Sequence, residues 1–197
     1  MKKIYFSLFI TMIGLSTANA QSRISFGVSG GLFYGSADLT SSGVDLTPVL
    51  ELFDVSSEEI EVLDGGGFYL GFLADLKIFG DLHVQPELLY ANAGGESIII
   101  APILAKYYIA DSFNLQAGPQ FDLVLDIPTL AKELVNELGV SLALGAGFDI
   151  NDKFSVQAKY TIGLNNRIND KISDLTSGTV KPSLKTNVLL AGIIYKL

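Results

Sequence analysis

The feature that most constrains this chain is an alternation of apolar and polar residues that recurs along most of its length. From Phe154 to Leu164 every second residue is apolar, and the residues between them are Ser, Gln, Lys, Thr and Gly. An extended strand places successive side chains on opposite faces, whereas a helix would mix the two sets. The alternation therefore predicts β-strands with one apolar and one polar face.

The length of the apolar runs argues against membrane-spanning helices. Hydrophobic residues make up 49% of the 197 residues, and the mean hydropathy of +0.41 is high for a water-soluble domain. Beyond residue 20 the longest apolar runs, 98–105 and 188–195, have eight residues each, far fewer than the about 20 that a helix needs to cross a bilayer. Runs of this length suit strands, so the sequence predicts an all-β fold.

Eight segments carry the strand pattern, and their connections differ in length. Short turns on one rim and long loops on the other are typical of an up-and-down barrel in an outer membrane. The short connections lie at 79–81, 110–112 and 151–153, and the mostly longer ones at 35–66, 92–97, 125–138 and 165–183. The strands are expected at about 24–34, 67–78, 82–91, 98–109, 113–124, 139–150, 154–164 and 184–197.

Two of these segments are apolar on both faces, so their lysines set the expected orientation. Lys106 and Lys196 should not face lipid, and the residues that alternate with them should therefore face outward. The expected outward residues are Ile99, Ala101, Ile103, Ala105 and Tyr107 in the fourth segment, and Leu189, Ala191, Ile193, Tyr195 and Leu197 in the last.

The same alternation would suit a soluble barrel with an apolar lumen, but the aromatic residues favour a membrane barrel. They occur near almost every strand end on the short-turn rim, for example Phe79, Phe113 and Tyr195. Amphipathic rings are stable at headgroup level, so this distribution indicates an interfacial girdle. We predict an eight-stranded antiparallel up-and-down transmembrane β-barrel of the outer-membrane type over residues 21–197, with both termini in the periplasm.

The first twenty residues have the features of a cleaved signal peptide. Lys2 and Lys3 precede an apolar stretch of about a dozen residues, and Ala18-Asn19-Ala20 has the small-x-small pattern of a signal peptidase site. The alternative, a retained anchor, is disfavoured because the stretch is too short to cross about 30 Å of hydrocarbon. Removing both lysines takes the basic count from 13 to 11 against 21 acidic residues, a net charge of −10.

Charge and residue usage argue against several functional classes. The acidic balance leaves no basic surface that could neutralise the phosphates of a nucleic acid. The chain has no Cys, and its one histidine, His83, lies beside a short turn and away from the rim where an enzymatic barrel would need its base. We therefore expect no nucleic-acid partner, metal, cofactor or enzymatic activity, and we assign His83 a structural role.

Two of the long loops have patterns of their own. The loop at 35–66 holds eight acidic residues and no Lys or Arg. Within it Glu58, Glu59 and Glu61 are candidates for a surface that binds divalent cations or a cationic partner, although the spacing fits no EF-hand. The alternative is a solvated loop that self-repulsion keeps extended. In the loop at 125–138, apolar residues recur at helical spacing before Gly139, which predicts a short amphipathic helix.

Two adjacent motifs resemble those of a known family. Residues 100–108, Ile-Ala-Pro-Ile-Leu-Ala-Lys-Tyr-Tyr, are followed at 115–120 by Leu-Gln-Ala-Gly-Pro-Gln. They resemble the PorT-like outer-membrane β-barrel family, in which a proline and an apolar stretch precede Lys-Tyr and the next strand carries Ala-Gly-Pro. The resemblance implies an integral outer-membrane protein, and the namesake of the family is associated with protein secretion across the outer membrane.

The C-terminus departs from the pattern of such barrels, which usually end in an outward aromatic residue that the insertion machinery reads. This chain ends Tyr195-Lys196-Leu197. We therefore expect Tyr195 and Leu197, both on the outward face of the last strand, to provide the insertion signal.

The inward-facing positions predict a filled lumen, because eight strands enclose a space that side chains can fill. Asp75, Glu87, Lys106 and Lys159 are expected inside the barrel, with acidic and basic residues at similar depths. We predict that they form a paired network that plugs the barrel. The alternative is that they line a small water-filled cavity without meeting.

Together these patterns predict a non-enzymatic outer-membrane barrel that acts as a membrane-embedded scaffold or interaction protein, an accessory to secretion if the resemblance extends to function. Its expected partners are outer-membrane lipid, the barrel-insertion machinery through the C-terminal strand, and proteins that bind the long loops. The alternative is a porin-like barrel that binds or transports a small ligand.

Overall fold

The alternating segments form eight antiparallel β-strands that close into a barrel. The computed structural model describes residues 24–41, 65–93, 95–125, 136–168 and 182–197. Each strand pairs with the next in the chain, and β8 also pairs with β1. The predicted fold class is therefore confirmed. The strands are β1 (Ile24–Ser41), β2 (Gly65–Phe79), β3 (Leu82–Ala93), β4 (Glu96–Tyr108), β5 (Phe113–Val124), β6 (Leu138–Asp149), β7 (Phe154–Gly163) and β8 (Pro182–Lys196).

Most strand boundaries lie within two residues of their predicted positions, and the main difference is in β1. This strand was expected to end at residue 34 and continues to Ser41. It stays paired with β8 as far as Ser41 opposite Pro182. Backbone pairing continues here although the alternating apolar pattern has ended, which is why the pattern underestimated the strand.

Two predicted loops are also shorter than expected. Only two residues separate Ala93 in β3 from Glu96 in β4. Leu138 and Gly139 belong to β6 and not to the end of a helix, because both pair with β5. Residues 126–135, which hold most of that predicted helix, lie outside the described residues, as do the predicted signal peptide and Glu58, Glu59 and Glu61.

Burial alternates along the strands with the expected phase. In β7 exposed and buried residues alternate without exception from Phe154 to Gly163. The phases assigned from lysines are also correct, because Lys106 is buried in β4 while Ile103 and Tyr107 are exposed, and Leu189, Ile193 and Tyr195 are exposed in β8. The apolar residues of the alternating pattern thus face outward, and the residues between them face the lumen.

The outer surface is an apolar band with aromatic residues toward both rims. Its exposed aromatic side chains include Phe26, Tyr107, Phe113, Phe148 and Tyr195 toward the short turns and Tyr34, Phe68, Tyr90 and Phe121 toward the long loops. Such a band with aromatic girdles suits the lipid-facing surface of a membrane barrel. No helix among the described residues is long and apolar enough to cross a membrane.

The short connections are tight turns, as expected. Gly80 follows β2 with a φ of 54°, a left-handed conformation that glycine adopts without steric cost. The other two turns close alike, since Ile109 N donates to Phe113 O at 3.0 Å and Ile150 N donates to Phe154 O at 2.8 Å. β1 begins at this same rim, and β8 ends there.

Candidate functional site

The candidate site is the lumen near the short turns, where inward positions of four strands carry charged side chains. Asp75 lies in β2, Glu87 in β3, Lys106 in β4 and Lys159 in β7. Strand alternation aims all four inward, and each is at most 7% exposed. Charged groups this deeply buried need partners, because burial without pairing is strongly unfavourable.

The structure brings these four residues together as two ion pairs. Lys106 Nζ lies 2.7 Å from Asp75 Oδ2, and Lys159 Nζ lies 2.5 Å from Glu87 Oε2. Gln85 joins the pairs, because its Nε2 donates to Glu87 Oε1 at 2.8 Å and its Oε1 accepts from Lys106 at 3.3 Å. The sequence reasoning did not single out Gln85, although it is inward in β3, next but one to Glu87.

His83 belongs to this network at its short-turn end. Its Nδ1 contacts Asp75 Oδ1, the carboxylate oxygen that Lys106 does not take. The His83 ring also packs against Tyr108, with ring centroids 5.0 Å apart, and the Lys106 ammonium lies 4.9 Å from the centre of the Tyr108 ring. His83 is therefore part of the ion-pair network, at the end of that network nearest the short turns.

On the other side of Gln85 the network continues through neutral groups. Gln85 Nε2 donates to Gln157 Oε1 at 3.4 Å, and Gln157 Nε2 donates to Ser29 Oγ at 3.3 Å. Ser29 in turn donates to the Tyr69 hydroxyl at 3.3 Å. Side chains of β1, β2, β3, β4 and β7 are therefore connected across the lumen.

A second cluster lies at the short-turn rim around Asp149. Its carboxylate accepts from Tyr108 at 2.9 Å, Ser155 at 2.7 Å and Lys196 at 2.9 Å. The Lys196 side chain is 21% exposed, unlike the lysines deeper in the lumen. This cluster ties β4, β6, β7 and β8 together at the edge of the barrel.

Inward glycines on β6 leave room for the large polar side chains. A methyl group at Gly145 would lie 2.7 Å from Lys159 Cγ, and one at Gly147 would lie 2.8 Å from Asn114 Oδ1. Both distances are shorter than an ordinary van der Waals contact. The lack of a side chain at Gly145, the register partner of Lys159, thus leaves room for Lys159 to cross the lumen toward Glu87.

Toward the long loops one side of the lumen is apolar. A cluster of buried residues from β1 to β5 and β8 fills this part, namely Phe33, Tyr69, Leu89, Ala91, Ile98, Ile100, Val124 and Leu190. The interior of a membrane barrel is usually polar. Apolar side chains and the ion pairs therefore both occupy the described lumen.

Arg167, in the loop after β7, is a site residue that sequence reasoning missed. Its guanidinium pairs with Asp122 of β5, and its Nε donates to Thr186 Oγ1 at 3.2 Å. Burial lowers the pKa of Arg167 to about 10, so the side chain keeps its charge at neutral pH. The sequence signal for such a partner was Asp122 itself. This inward carboxylate has uncharged register neighbours, Ile100 on β4 and Gly139 on β6.

The main chain around Arg167 also bonds to its neighbours at the long-loop end. Arg167 N donates to Leu184 O at 2.9 Å, and Arg167 O accepts from Asn136 N at 2.7 Å. Asn165 Oδ1 accepts from Val140 N at 2.8 Å. The loop segment is therefore held against β6 and β8 on the long-loop side.

The two residues predicted as an insertion signal lie at the end of the last strand. The Tyr195 ring is outward and packs against Phe154, with centroids 5.2 Å apart. Leu197 is 77% exposed, and its backbone N donates to Phe26 O at 2.9 Å. Their role in insertion stays a prediction.

Part of the chain is similar to a known protein family. Residues 97–169 match the model of a family described as outer membrane protein beta-barrel domain. A search of curated proteins finds no match. The closed eight-stranded antiparallel barrel has the fold of an outer-membrane β-barrel, and the family match to part of the chain agrees with that fold class. The narrower resemblance to the PorT-like family stays a prediction.

Several solved structures have a similar fold at low sequence identity. Neisserial surface protein A is 16% identical, with 88% of this chain and 99% of that chain covered and a TM-score of 0.48. OprG from Pseudomonas aeruginosa is 14% identical, with coverages of 88% and 95% and a TM-score of 0.46. Ail of Yersinia pestis is 14% identical, with coverages of 89% and 99% and a TM-score of 0.44.

Proposed function

We propose that this chain is a plugged, non-enzymatic outer-membrane barrel that serves as a membrane-embedded scaffold and presents its long loops to partner proteins. The observation that carries this proposal is the two buried ion pairs that cross the lumen. Lys106 and Lys159 are 2% and 1% exposed, and each pairs with a carboxylate on another strand. Side chains that meet across an eight-stranded barrel leave little room for a solute.

The energetics of the ion pairs support a plug over a loosely lined channel. Buried charges lose hydration, and only close pairing with added hydrogen bonds offsets that loss. Glu87 has a charged partner and a neutral hydrogen-bond donor, since Lys159 binds its Oε2 and Gln85 donates to its Oε1. Side chains held in this way resist displacement by a passing ion.

The expected orientation places the short turns in the periplasm and the long loops outside, as is usual for bacterial outer-membrane barrels. In this arrangement the apolar band contacts lipid, the last strand contacts the insertion machinery through Tyr195 and Leu197, and the long loops contact protein partners. A role as an accessory to secretion is the version of this proposal that the PorT-like resemblance favours.

Conductance in planar lipid bilayers tests the plug. We expect purified protein to give no steady channels, and we expect the same of Gln157→Ala, which leaves both ion pairs in place. Steady nanosiemens-scale channels from the wild-type protein would contradict the plug and favour transport. Carbonate extraction of native membranes tests the location, since release without detergent would contradict membrane integration.

Co-purification from intact outer membranes tests the scaffold. We expect partner proteins to be recovered with the full chain and lost from a variant that lacks residues 42–64, while its heat-modifiable migration on a gel is retained. A truncated barrel that keeps every partner would show that this loop is not the binding surface.

One observation favours a second candidate, a barrel that binds a small polar ligand. Among the described residues, Gln120 Oε1, Gln120 Nε2 and Gln116 Oε1 are buried without a hydrogen-bond partner. A molecule with both donor and acceptor groups would satisfy them. Native mass spectrometry of the wild-type protein and Gln120→Leu tests this, because a bound small molecule should be present in the first and reduced in the second.

A further inference from the structure

Three prolines lie within the barrel wall on three consecutive strands. Pro86 is in β3, Pro102 in β4 and Pro119 in β5. A proline has no backbone N–H and cannot donate to a neighbouring strand, so prolines are rare inside a sheet. Each of these three therefore removes one hydrogen bond from the ladder that closes the barrel.

The pairing register skips two consecutive positions at each of these prolines, always toward the preceding strand. Each proline keeps its partner on the following strand, opposite Ile103, Gln120 and Leu142 respectively. The loss of pairing is therefore one-sided and follows the missing donor. The skipped pairs that contain a proline are Ala74 with Pro86, Glu87 with Pro102, and Ile103 with Pro119, and the skipped pairs next to them are Asp75 with Gln85, Leu88 with Ala101, and Leu104 with Gly118.

The skipped pairs form one continuous line across the wall. Pro86 and Glu87 are neighbours in β3, and Pro102 and Ile103 are neighbours in β4. We call this line from Ala74 to Pro119 the proline seam. The other five strand interfaces are paired without a skipped position over the lengths that the structure describes.

One buried ion pair of the lumen spans the proline seam, and the other is formed by a residue of the seam. Asp75 follows Ala74 in β2 and binds Lys106 in β4, so this pair spans two of the three interrupted interfaces. Glu87 is itself a seam residue, and its carboxylate is bound by Lys159 of β7 on the uninterrupted side. Side-chain bonds inside the barrel thus connect strands that have lost backbone bonds.

We propose that the barrel wall opens laterally along the proline seam and that the Asp75–Lys106 and Glu87–Lys159 pairs hold it closed. Local opening occurs where the fewest bonds must break, which in this barrel is the wall from β2 to β5. The inner side of the wall carries buried Leu89, Ile100 and Leu104. Opening therefore connects the apolar lumen with lipid, while the barrel stays plugged along its axis.

Amide hydrogen exchange of the wild-type protein in lipid nanodiscs tests the seam without any variant. The reporters are the amides of Ala74, Glu87 and Ile103, and the reference amides are those of Leu144 and Tyr160, which are register partners on β6 and β7. We expect roughly tenfold faster exchange at the reporters, as for the loss of one or two ladder bonds. Equal exchange in the two regions overturns the proposal.

Substitution of the carboxylates tests whether the ion pairs hold the seam. We expect Asp75→Asn and Glu87→Gln each to accelerate exchange at the seam reporters further and to leave the reference amides unchanged. The matched control is Asp122→Asn, which breaks the ion pair at the long-loop end and should not alter the seam. An equal acceleration at seam and reference amides contradicts the holding role.

A disulfide across the seam gives a test that does not weaken the barrel. The chain has no Cys, and continuing the register from Leu89 opposite Ile100 places Leu88 opposite Ala101. Oxidation of a Leu88→Cys, Ala101→Cys variant should slow exchange at the seam reporters. The matched control joins Ala146→Cys to Ala158→Cys, which are opposed in β6 and β7. A seam disulfide with no more effect than this control shows that the wall does not open along the seam.

Discussion

The two ends of the lumen accommodate buried charges in different ways. Near the short turns, Asp75, Glu87, Lys106 and Lys159 share partners through Gln85, so each charge lies within a network. Near the long loops, one side of the lumen is apolar, and Arg167 pairs with Asp122 from outside the strands. The difference indicates that strand positions supply the charges at one end, whereas a loop must supply the cation at the other.

The contrast also has a structural cause. Inward glycines on β6 make space for Lys159 at the short-turn end, and buried Leu89, Ile98 and Ile100 fill the space at the other. Lys159 crosses the barrel at a position where its register partner on β6 is a glycine, Gly145. The four substitutions below test this comparison, and they are ordered by the size of the effect that we expect.

Glu87→Ala should have the largest effect, because it leaves Lys159 buried with no counter-charge. The Lys159 and Glu87 side chains are both fully buried, and loss of one member of such a pair typically costs about 3 to 5 kcal/mol of unfolding free energy. Urea unfolding in lipid vesicles measures the loss. Gln157→Ala is the control and should cost much less, and equal losses would contradict a central role for the ion pair.

Asp122→Asn should have the next largest effect, because it removes the counter-charge of Arg167 and keeps the side-chain size. Arg167 keeps its bond to Thr186 Oγ1 at 3.2 Å. Loss of a hydrogen bond to a charged group costs about 1.5 to 3 kcal/mol. The same unfolding measurement applies, and Asp122→Glu, which keeps the charge, should recover most of the stability. A neutral Asp122→Asn would mean that Thr186 alone suffices to hold Arg167.

Gly145→Ala should destabilise the short-turn end by displacing Lys159. The added methyl group would lie 2.6 Å from Ala158 O and 2.7 Å from Lys159 Cγ, and overpacking of this kind costs about 1 to 3 kcal/mol. Gly66→Ala is the control, since its methyl group would have no neighbour closer than 3.8 Å. Similar melting temperatures for the two variants would show that β6 does not need glycine here.

Lys196→Ala should have the smallest effect. Its ion pair with Asp149 is partly exposed, with side chains 21% and 18% accessible, and partly solvated pairs contribute about 0.2 to 1 kcal/mol. Asp149 also keeps its bonds from Tyr108 and Ser155. Unfolding at low and high salt measures the contribution, which should shrink as salt increases. A loss as large as that of Glu87→Ala would mean that depth in the lumen does not control the strength of these pairs.

The sequence alone predicted the strands and the direction of most side chains, because the period of two is a local property of extended chain. It placed Asp75, Glu87, Lys106 and Lys159 inside the barrel and located the short turns. It underestimated β1 and assigned Leu138 to a helix, because cross-strand pairing extends strands beyond the residues that show the apolar alternation.

The sequence by itself thus determined the barrel wall, since alternation decides which residues face lipid and which face the lumen. Only the tertiary structure decided which of the inward residues meet. Gln85 joins two ion pairs, Arg167 enters from a loop to reach Asp122, and Pro86, Pro102 and Pro119 align into one seam. These contacts depend on strand register and on barrel closure, which bring together residues far apart in the chain. A local sequence pattern does not specify which of these distant residues come into contact.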